Sequence, residues 1–291
     1  MILVTGATGS TGRYLVRQLV ECGAEFRALV RDKAKGEALG VDYAVGDYDD
    51  PGSLAAAMEG VDRVYLASPG AQAETENGEQ PMIRWEKNVI DAAKRAGAGY
   101  VVKLSVLHAR IGGRMSEGGH GAIEAHLKES GLEWTILQPG GFMQNFLSPT
   151  ASLRDGEGNL VGHEGDAPVA FIDAYDVAAC AATLLTGNLA RNETLPITGP
   201  EAIAYSEVAA KLSAGTEERI GFNGMSERGL GELLRGFGLA GELADELASL
   251  YASIGGGSYS EVTDVVERIT GNAPRSFEAF MAANPEAFPQ A

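Results

Sequence analysis

The chain has 291 residues, 45% of them hydrophobic, and carries 23 Lys+Arg against 40 Asp+Glu for a net charge of −17. That length and apolar share are enough for a sizeable core and exclude disorder as the main state. The negative field disfavours nonspecific binding to nucleic acid or to an anionic membrane surface, so neither is expected as a partner.

Short β-branched runs alternate with longer amphipathic stretches. Strands are predicted at 2–4, 25–30, 42–45, 63–67, 100–104 and 134–137, with helices over 12–22, 51–59, 82–96 and 121–130. Leu15, Leu19 and Val20 give the first helix an apolar stripe, with Arg13 and Arg17 on the wet side. Further on, strands are predicted at 169–172 and 193–198 with a helix over 176–185. From about residue 206 the pattern is almost entirely helical, interrupted by glycines at 221–224 and 255–257. Strand then helix, repeated, predicts an α/β fold with a doubly wound parallel sheet and a smaller, mainly helical C-terminal part. Residues 1–150 are expected to form the core that carries this sheet. Residues 151–291 are expected to complete the fold and cover the substrate in the crevice between the two parts.

Cys22 and Cys180, the only cysteines, lie far apart and match no redox pair or disulfide framework, so both read as small buried apolar side chains. His108, His126 and His163 have no ligand-spaced acidic or cysteine partners, and no metal site is expected. No apolar run approaches the roughly 20 residues of a membrane-spanning helix, and Met1 runs directly into strand-like residues rather than a signal core. The expected location is the cytoplasm.

The segment Thr5-Gly6-Ala7-Thr8-Gly9-Ser10-Thr11-Gly12 follows the first strand and opens the first helix, the setting in which a glycine-rich run binds a dinucleotide. Gly6 permits a tight turn, Gly9 lets backbone approach a pyrophosphate, and Gly12 lets helix pack on strand. The helix N-terminus then presents unpaired N–H groups to the diphosphate. Thr8, Ser10 and Thr11 add hydroxyl donors. After the second strand, Arg31 stands where a guanidinium can stack on adenine and pair a 2′-phosphate, with Lys33 nearby. This favours NADP(H) as cofactor, although Asp32 would serve NAD if it turned inward.

Val4-Thr5-Gly6-Ala7-Thr8-Gly9, Val30-Arg31-Asp32, Gly46-Asp47-Tyr48-Asp49-Asp50 and the run from Gly131 to Asn145 resemble the NmrA-like branch of the atypical short-chain dehydrogenase/reductases. That branch contains NADPH-dependent quinone and triarylmethane-dye reductases as well as cofactor-binding redox sensors. The resemblance implies Asp47 and Tyr48 beside the adenine, and Ala67, Ser68 and Pro69 beside the ribose and diphosphate. It implies Lys103 and Ser105 near the nicotinamide, with Pro139 and Gly140 flanking it. Gly141, Phe142, Met143, Asn145 and Phe146 would face the substrate, the aromatic and apolar side chains lining a pocket and Asn145 serving as a polar handle. Asp173 is expected in a structural turn or cap.

The Tyr-x-x-x-Lys pair of the wider superfamily is replaced by His120-Gly121-Ala122-Ile123-Glu124. A carboxylate at the lysine position raises a neighbouring acid's pKa instead of lowering it. His120 becomes the candidate general acid, kept protonated by Glu124 one turn away, with Lys103 and Ser105 as further catalytic candidates. Weak acid–base equipment suits acceptors that disperse charge, so the expected function is NADPH-dependent reduction of a quinone or related conjugated carbonyl or aromatic compound. The alternative is a non-catalytic NADP(H) sensor acting through a protein partner. Monomer and homodimer are both compatible with the sequence.

Overall fold

The computed structural model describes residues 1–70, 80–147 and 152–291. The elements follow in the order β1 (Ile2–Val4), α1 (Ser10–Glu21), β2 (Phe26–Val30), α2 (Lys33–Leu39), β3 (Tyr43–Val45), α3 (Pro51–Ala57), β4 (Arg63–Leu66), α4 (Pro81–Ala96), β5 (Tyr100–Leu104), α5 (Met115–Glu129) and β6 (Glu133–Pro139). Then come β7 (Leu160–His163), α6 (Ala174–Thr186), β8 (Glu193–Ile197), α7 (Tyr205–Gly215), β9 (Phe222–Met225), α8 (Glu227–Gly236), α9 (Gly241–Gly255), α10 (Val265–Thr270) and α11 (Phe277–Ala282).

Seven strands form one sheet in the order β3-β2-β1-β4-β5-β6-β8, every pair parallel. This is the doubly wound, Rossmann-type arrangement. The order reverses between β1 and β4, and a crevice outside the strands' carboxyl ends at such a switch point is where ligands bind. One face is covered by α3, α4 and α5, whose Leu54, Met82, Ile90, Ile123 and Leu127 join Leu3, Val64, Val101 and Ile136 of the strands in one buried cluster. On α1 the buried side is Leu15, Val16 and Leu19, and Val20 is 54% exposed, so Val16 takes the place predicted for Val20. Helix α1 packs against α6.

The chain divides discontinuously. Met1–Pro139 is joined by Ala174–Ile197 and Arg268–Gly271 in one compact unit, and Gly140–Asp173, Thr198–Glu267 and Asn272–Ala291 form the second. This departs from the consecutive blocks 1–150 and 151–291, because β8 returns to complete the first unit's sheet beside β6. In the second unit β7 pairs in parallel with β9, and an aromatic core gathers Phe146, Phe171, Phe277 and Phe280.

Several local expectations are corrected by tertiary contacts. Of the glycines at 221–224, Gly224 belongs to a strand rather than a break and Gly221 directly precedes it: a Cβ on Gly224 would lie 3.0 Å from Glu164 Cα, so glycine permits the close pairing. Residues 169–172 form isolated bridges to Ile203 and Phe142 instead of a strand. Helix α5 starts at Met115, six residues before its prediction, and its Gly118 and Gly121 serve close approach: Cβ atoms there would sit 2.1 Å from the Gly113 oxygen and the Arg110 carbonyl carbon. Cys180 is buried as expected, but Cys22 is exposed at the end of α1. No helix among the described residues is long and apolar enough to cross a membrane.

The Arg110 contact generates a stability prediction. Gly121→Ala should destabilise the fold by about 1–3 kcal/mol, the usual cost of forcing an extra carbon into a packed site. A urea denaturation midpoint equal to that of the parent chain would contradict the tight packing of the 110–113 loop on α5.

Candidate active site

The glycine loop sits at the sheet's switch point. Gly6 adopts φ +62°, a left-handed conformation that favours glycine. A Cβ on Gly12 would come within 2.1 Å of the Gly6 oxygen, so the first turn of α1 lies directly on the loop. Gly9 caps the helix without a side-chain hydrogen bond and has only the Gly6 oxygen, at 3.2 Å, near its own Cβ direction. The helix therefore begins with backbone donors and an open approach, which suits an anionic group.

Two side chains fasten this loop to the end of β4. Thr5 Oγ1 donates to the Ala67 carbonyl and accepts from the Ala67 N–H, each at 2.8 Å. The Tyr48 hydroxyl accepts from the Gly6 N–H at 3.2 Å and donates to the Ala67 carbonyl at 3.1 Å. Burial pushes the Tyr48 phenol up to about 12, so it stays protonated and keeps both bonds.

A cavity beside the loop is lined by Gly6, Ala7, Thr8, Leu29, Val30, Arg31, Lys35, Gly46, Tyr48 and Pro69. Arg31 is there as expected, but the neighbouring lysine is Lys35, which the sequence reading missed. Lys33 instead lies 3.6 Å from Glu37 on the exposed side of α2. Asp32 resolves the ambiguity at the strand end: its Oδ1 accepts the Ala34 N–H at 2.8 Å and caps α2. Asp47 is spent locally too, accepting the Asp49 N–H at 2.8 Å. Ser10 and Thr8 are exposed beside this turn, while Thr11 is buried. Two cations, a glycine cradle and uncapped helix donors fit a phosphorylated dinucleotide.

At the carboxyl end of β5 the expected catalytic residues meet a different set of partners. Lys103 lies on the same strand face as Val101, opposite Leu66 and Ile136, and is 0% exposed. Its ammonium donates to the Leu104 carbonyl and to His120 Nδ1 at 3.0 Å, and pairs with Glu86 Oε2 at 2.8 Å. Two of the ammonium's three protons are donated and its charge is paired with Glu86, so Lys103 is engaged inside the protein. Glu86, itself 1% exposed, takes the Ser68 hydroxyl on its other oxygen at 2.8 Å. Burial raises the Glu86 carboxyl above its ordinary range, and the charge of Lys103 opposes that rise.

The Glu124 carboxylate makes no hydrogen bond or ion pair with the His120 ring. Its oxygens are held by Ser105 Oγ at 2.5 Å, Gln138 Nε2 at 2.8 Å and Lys128 Nζ at 3.3 Å. Ser105 is thereby turned inward and 2% exposed. Burial, and then the charge of Lys103, hold His120 well below the ordinary imidazole range. The expected imidazolium is corrected to a neutral ring. With Nδ1 accepting from an ammonium, the ring proton resides on Nε2.

The chain matches the family described as NAD(P)H-binding over residues 6–188. It is 35% identical to an NAD(P)H azoreductase of Xenophilus azovorans over 99% of both chains. Among solved structures it resembles an Escherichia coli NADPH-dependent quinone oxidoreductase complexed with NADPH, at a TM-score of 0.82 and 27% identity over 97% of this chain and 99% of that one. A Citrobacter triphenylmethane reductase shares the fold at a TM-score of 0.81 and 24% identity, covering 97% of this chain and 99% of that one. The chain belongs to the NmrA-like, NAD(P)H-binding atypical short-chain dehydrogenase/reductases. It is an NAD(P)H-dependent oxidoreductase.

Of the expected substrate residues, Met143 and Phe146 are 1% and 3% exposed. Phe146 packs edge-on to Phe171 and Phe277 at 5.2 and 5.6 Å between ring centres, so both residues are core rather than pocket lining. Gly141 lies against the Phe171 ring, while Phe142 is half-buried and Asn145 exposed. Asp173 is buried and accepts from Gln144 at 2.7 Å and Arg275 at 3.1 Å, a structural role. Among the described residues no cluster could hold a metal ion.

The Tyr48 clamp can be tested on its own. Tyr48→Phe removes the acceptor of the Gly6 N–H and should weaken NADPH binding about tenfold, the loss of one hydrogen bond of roughly 1–1.5 kcal/mol. Unchanged affinity in a calorimetric titration would show that the loop keeps its shape without the clamp.

Proposed function

We propose that this oxidoreductase uses NADPH in preference to NADH to reduce a quinone, an azo compound or a related conjugated acceptor in the cytoplasm. The observation that carries the cofactor preference is the convergence of Arg31 and Lys35 on one cavity while Asp32 is committed to capping α2. A guanidinium and an ammonium complement a 2′-phosphate, whereas an inward carboxylate would be needed to grip a free 2′-hydroxyl. When bound, the cofactor supplies the hydride. The chain's own residues bind and orient: Gly6, Gly9 and Gly12 shape the diphosphate cradle, and Thr8, Ser10 and Thr11 border it. Ala67, Ser68 and Pro69 continue its wall, with Pro139 and Gly140 marking the end of β6.

Quinones and azo compounds suit this machinery because their conjugation disperses the charge left by hydride addition. No strongly acidic side chain is then required, consistent with a neutral His120. Phe142 and Asn145 are the two expected acceptor contacts whose side chains retain exposure, one offering an aromatic face and the other an amide.

Titration of both cofactors by calorimetry tests the preference. Arg31→Ala and Lys35→Ala should each weaken NADPH by about 1–3 kcal/mol, the range for a charge-assisted contact, and leave NADH nearly unaffected. Lys33→Ala should leave both unaffected. Equal loss for the two cofactors would place the cations elsewhere. A steady-state screen of NADPH oxidation against quinones, azo dyes and other conjugated aromatics tests the reaction: saturable turnover with at least one class is expected, and none across the panel would overturn the reductase reading.

A further inference from the structure

A buried row of polar groups crosses one face of the sheet, from Ser68 after β4 through Glu86 on α4 and Lys103 on β5 to His120 on α5. The consecutive separations are 2.8, 2.8 and 3.0 Å. Its setting is apolar: Leu66 and Ile136 flank Lys103 in register, and Met82, Val89 and Ile123 belong to the same cluster. A lysine in such a row is costly unless its charge is paired and its protons are engaged; here it donates to the Leu104 carbonyl and to His120 Nδ1, and Glu86 pairs its charge. The Glu86–Lys103 contact is a buried ion pair at 2.8 Å.

Two phenols and a carboxylate also neighbour this row; the Tyr48 phenol is pushed up by burial, and the charge of Glu86 adds to the rise. Tyr65 on β4 is wholly buried, and burial and the charge of Glu86 push its phenol up. Glu124, one turn along α5 from His120, is engaged by Ser105, Gln138 and Lys128. His120 is thus left with one charged contact, Lys103 at Nδ1, and among the described residues nothing pairs with its Nε2.

We propose that Glu86 and Lys103 are positioning residues that hold His120 as a neutral Nε2–H proton donor, so that this enzyme completes reductions in which the acceptor takes a proton as well as a hydride. The inference rests on the reductase reading above. The balance is simple. One electron pair arrives on the acceptor as hydride and forms one new bond; the second bond forms when the acceptor's anion takes the Nε2 proton of His120. As Nε2 releases its proton, Nδ1 takes one from Lys103, which becomes a neutral amine; when a water proton then returns to Nε2, the Nδ1 proton passes back to the amine and the starting Nε2–H form is restored, with one proton drawn from solvent per turnover. A quinone or an azo bond needs both hydride and proton. A triarylmethyl cation needs the hydride alone, because hydride addition to the central carbon already gives the neutral product. Acceptors of the first class should therefore depend on the row far more than those of the second.

Two measurements test this. The first uses the cofactor-free protein and long-range proton–nitrogen NMR of the imidazole rings. His120 should be in the neutral Nε2–H form and should remain so as the pH falls through 6.5, the ordinary imidazole value. In Lys103→Met its titration should move up towards that value. A ring with its proton on Nδ1, or one titrating normally in the parent chain, would overturn the proposal whatever the enzyme reduces.

The second compares kcat for a quinone and for a cationic triarylmethane dye, each at saturating NADPH. Glu86→Gln and Lys103→Met should lower quinone turnover by about 100-fold, the lower end for positioned proton transfer, and dye turnover by a much smaller factor. Ser68→Ala, which leaves the buried ion pair in place, should show the same bias more weakly. Equal losses on both acceptors would mean that the row only supports the fold or the cofactor. Failure of every acceptor to oxidise NADPH would sink the reductase reading instead, with the NMR result still deciding the state of His120.

Discussion

The close approach of α1 to the glycine loop is the constraint from which the rest of the site follows. Gly12 meets the Gly6 carbonyl at a distance that leaves no room for a side chain, and Gly6 must be left-handed to present that carbonyl. The first strand can then turn straight into a helix whose opening N–H groups face outward at the sheet's switch point. Because Thr5 and Tyr48 tie the same loop to Ala67, the position of the residues after β4 is set by it too. Pro69 borders the cofactor cavity, and its neighbour Ser68 begins the buried polar row. The glycine cradle and the buried polar row are thus tied together through the ends of β1 and β4.

The second organising feature is electrostatic. Glu86, Lys103 and His120 come from α4, β5 and α5, and apart from the Leu104 carbonyl on β5 that Lys103 also reaches, their partners in the row lie on other elements. Isolated, each would oppose burial. Assembled, the ammonium is satisfied by a carboxylate, an imidazole nitrogen and a carbonyl, and the imidazole is fixed in one tautomer. Replacing such a group by apolar side chains is often neutral or stabilising for a fold, so the row is weakly explained by stability alone. It is better explained by what it does to the imidazole: desolvation and an adjacent cation keep His120 neutral, while a donor at Nδ1 directs its remaining proton to Nε2.

The legibility of this chain in its sequence tracked the range of the interactions involved. The strand, glycine loop and first helix were readable because turn, cradle and packing are all decided within Val4 to Leu19. The parallel sheet was readable from alternation alone. Helix α2 was not, because Lys33–Leu39 is short and polar and buries only Gly36, leaving no periodic apolar face. The same omission misplaced the second cation, since coiling of that segment carries Lys35 rather than Lys33 to the cavity. Spacing along α5 suggested Glu124 as the partner of His120, but the side chain that meets the ring is Lys103, which strand pairing and helix packing bring from another element. The strands β7 and β9 escaped notice because their glycines permit close pairing while resembling turn punctuation.

The central claim is that this chain itself passes hydride from NADPH to a conjugated acceptor. Single-turnover stopped-flow with NADPH deuterated at the transferred position tests it most directly, using the best quinone or azo acceptor. The account predicts that NADPH oxidation and acceptor reduction proceed at one common rate, and that deuteration slows both together. Oxidation that does not keep pace with acceptor reduction, or a chemical step indifferent to the label, would contradict direct hydride transfer.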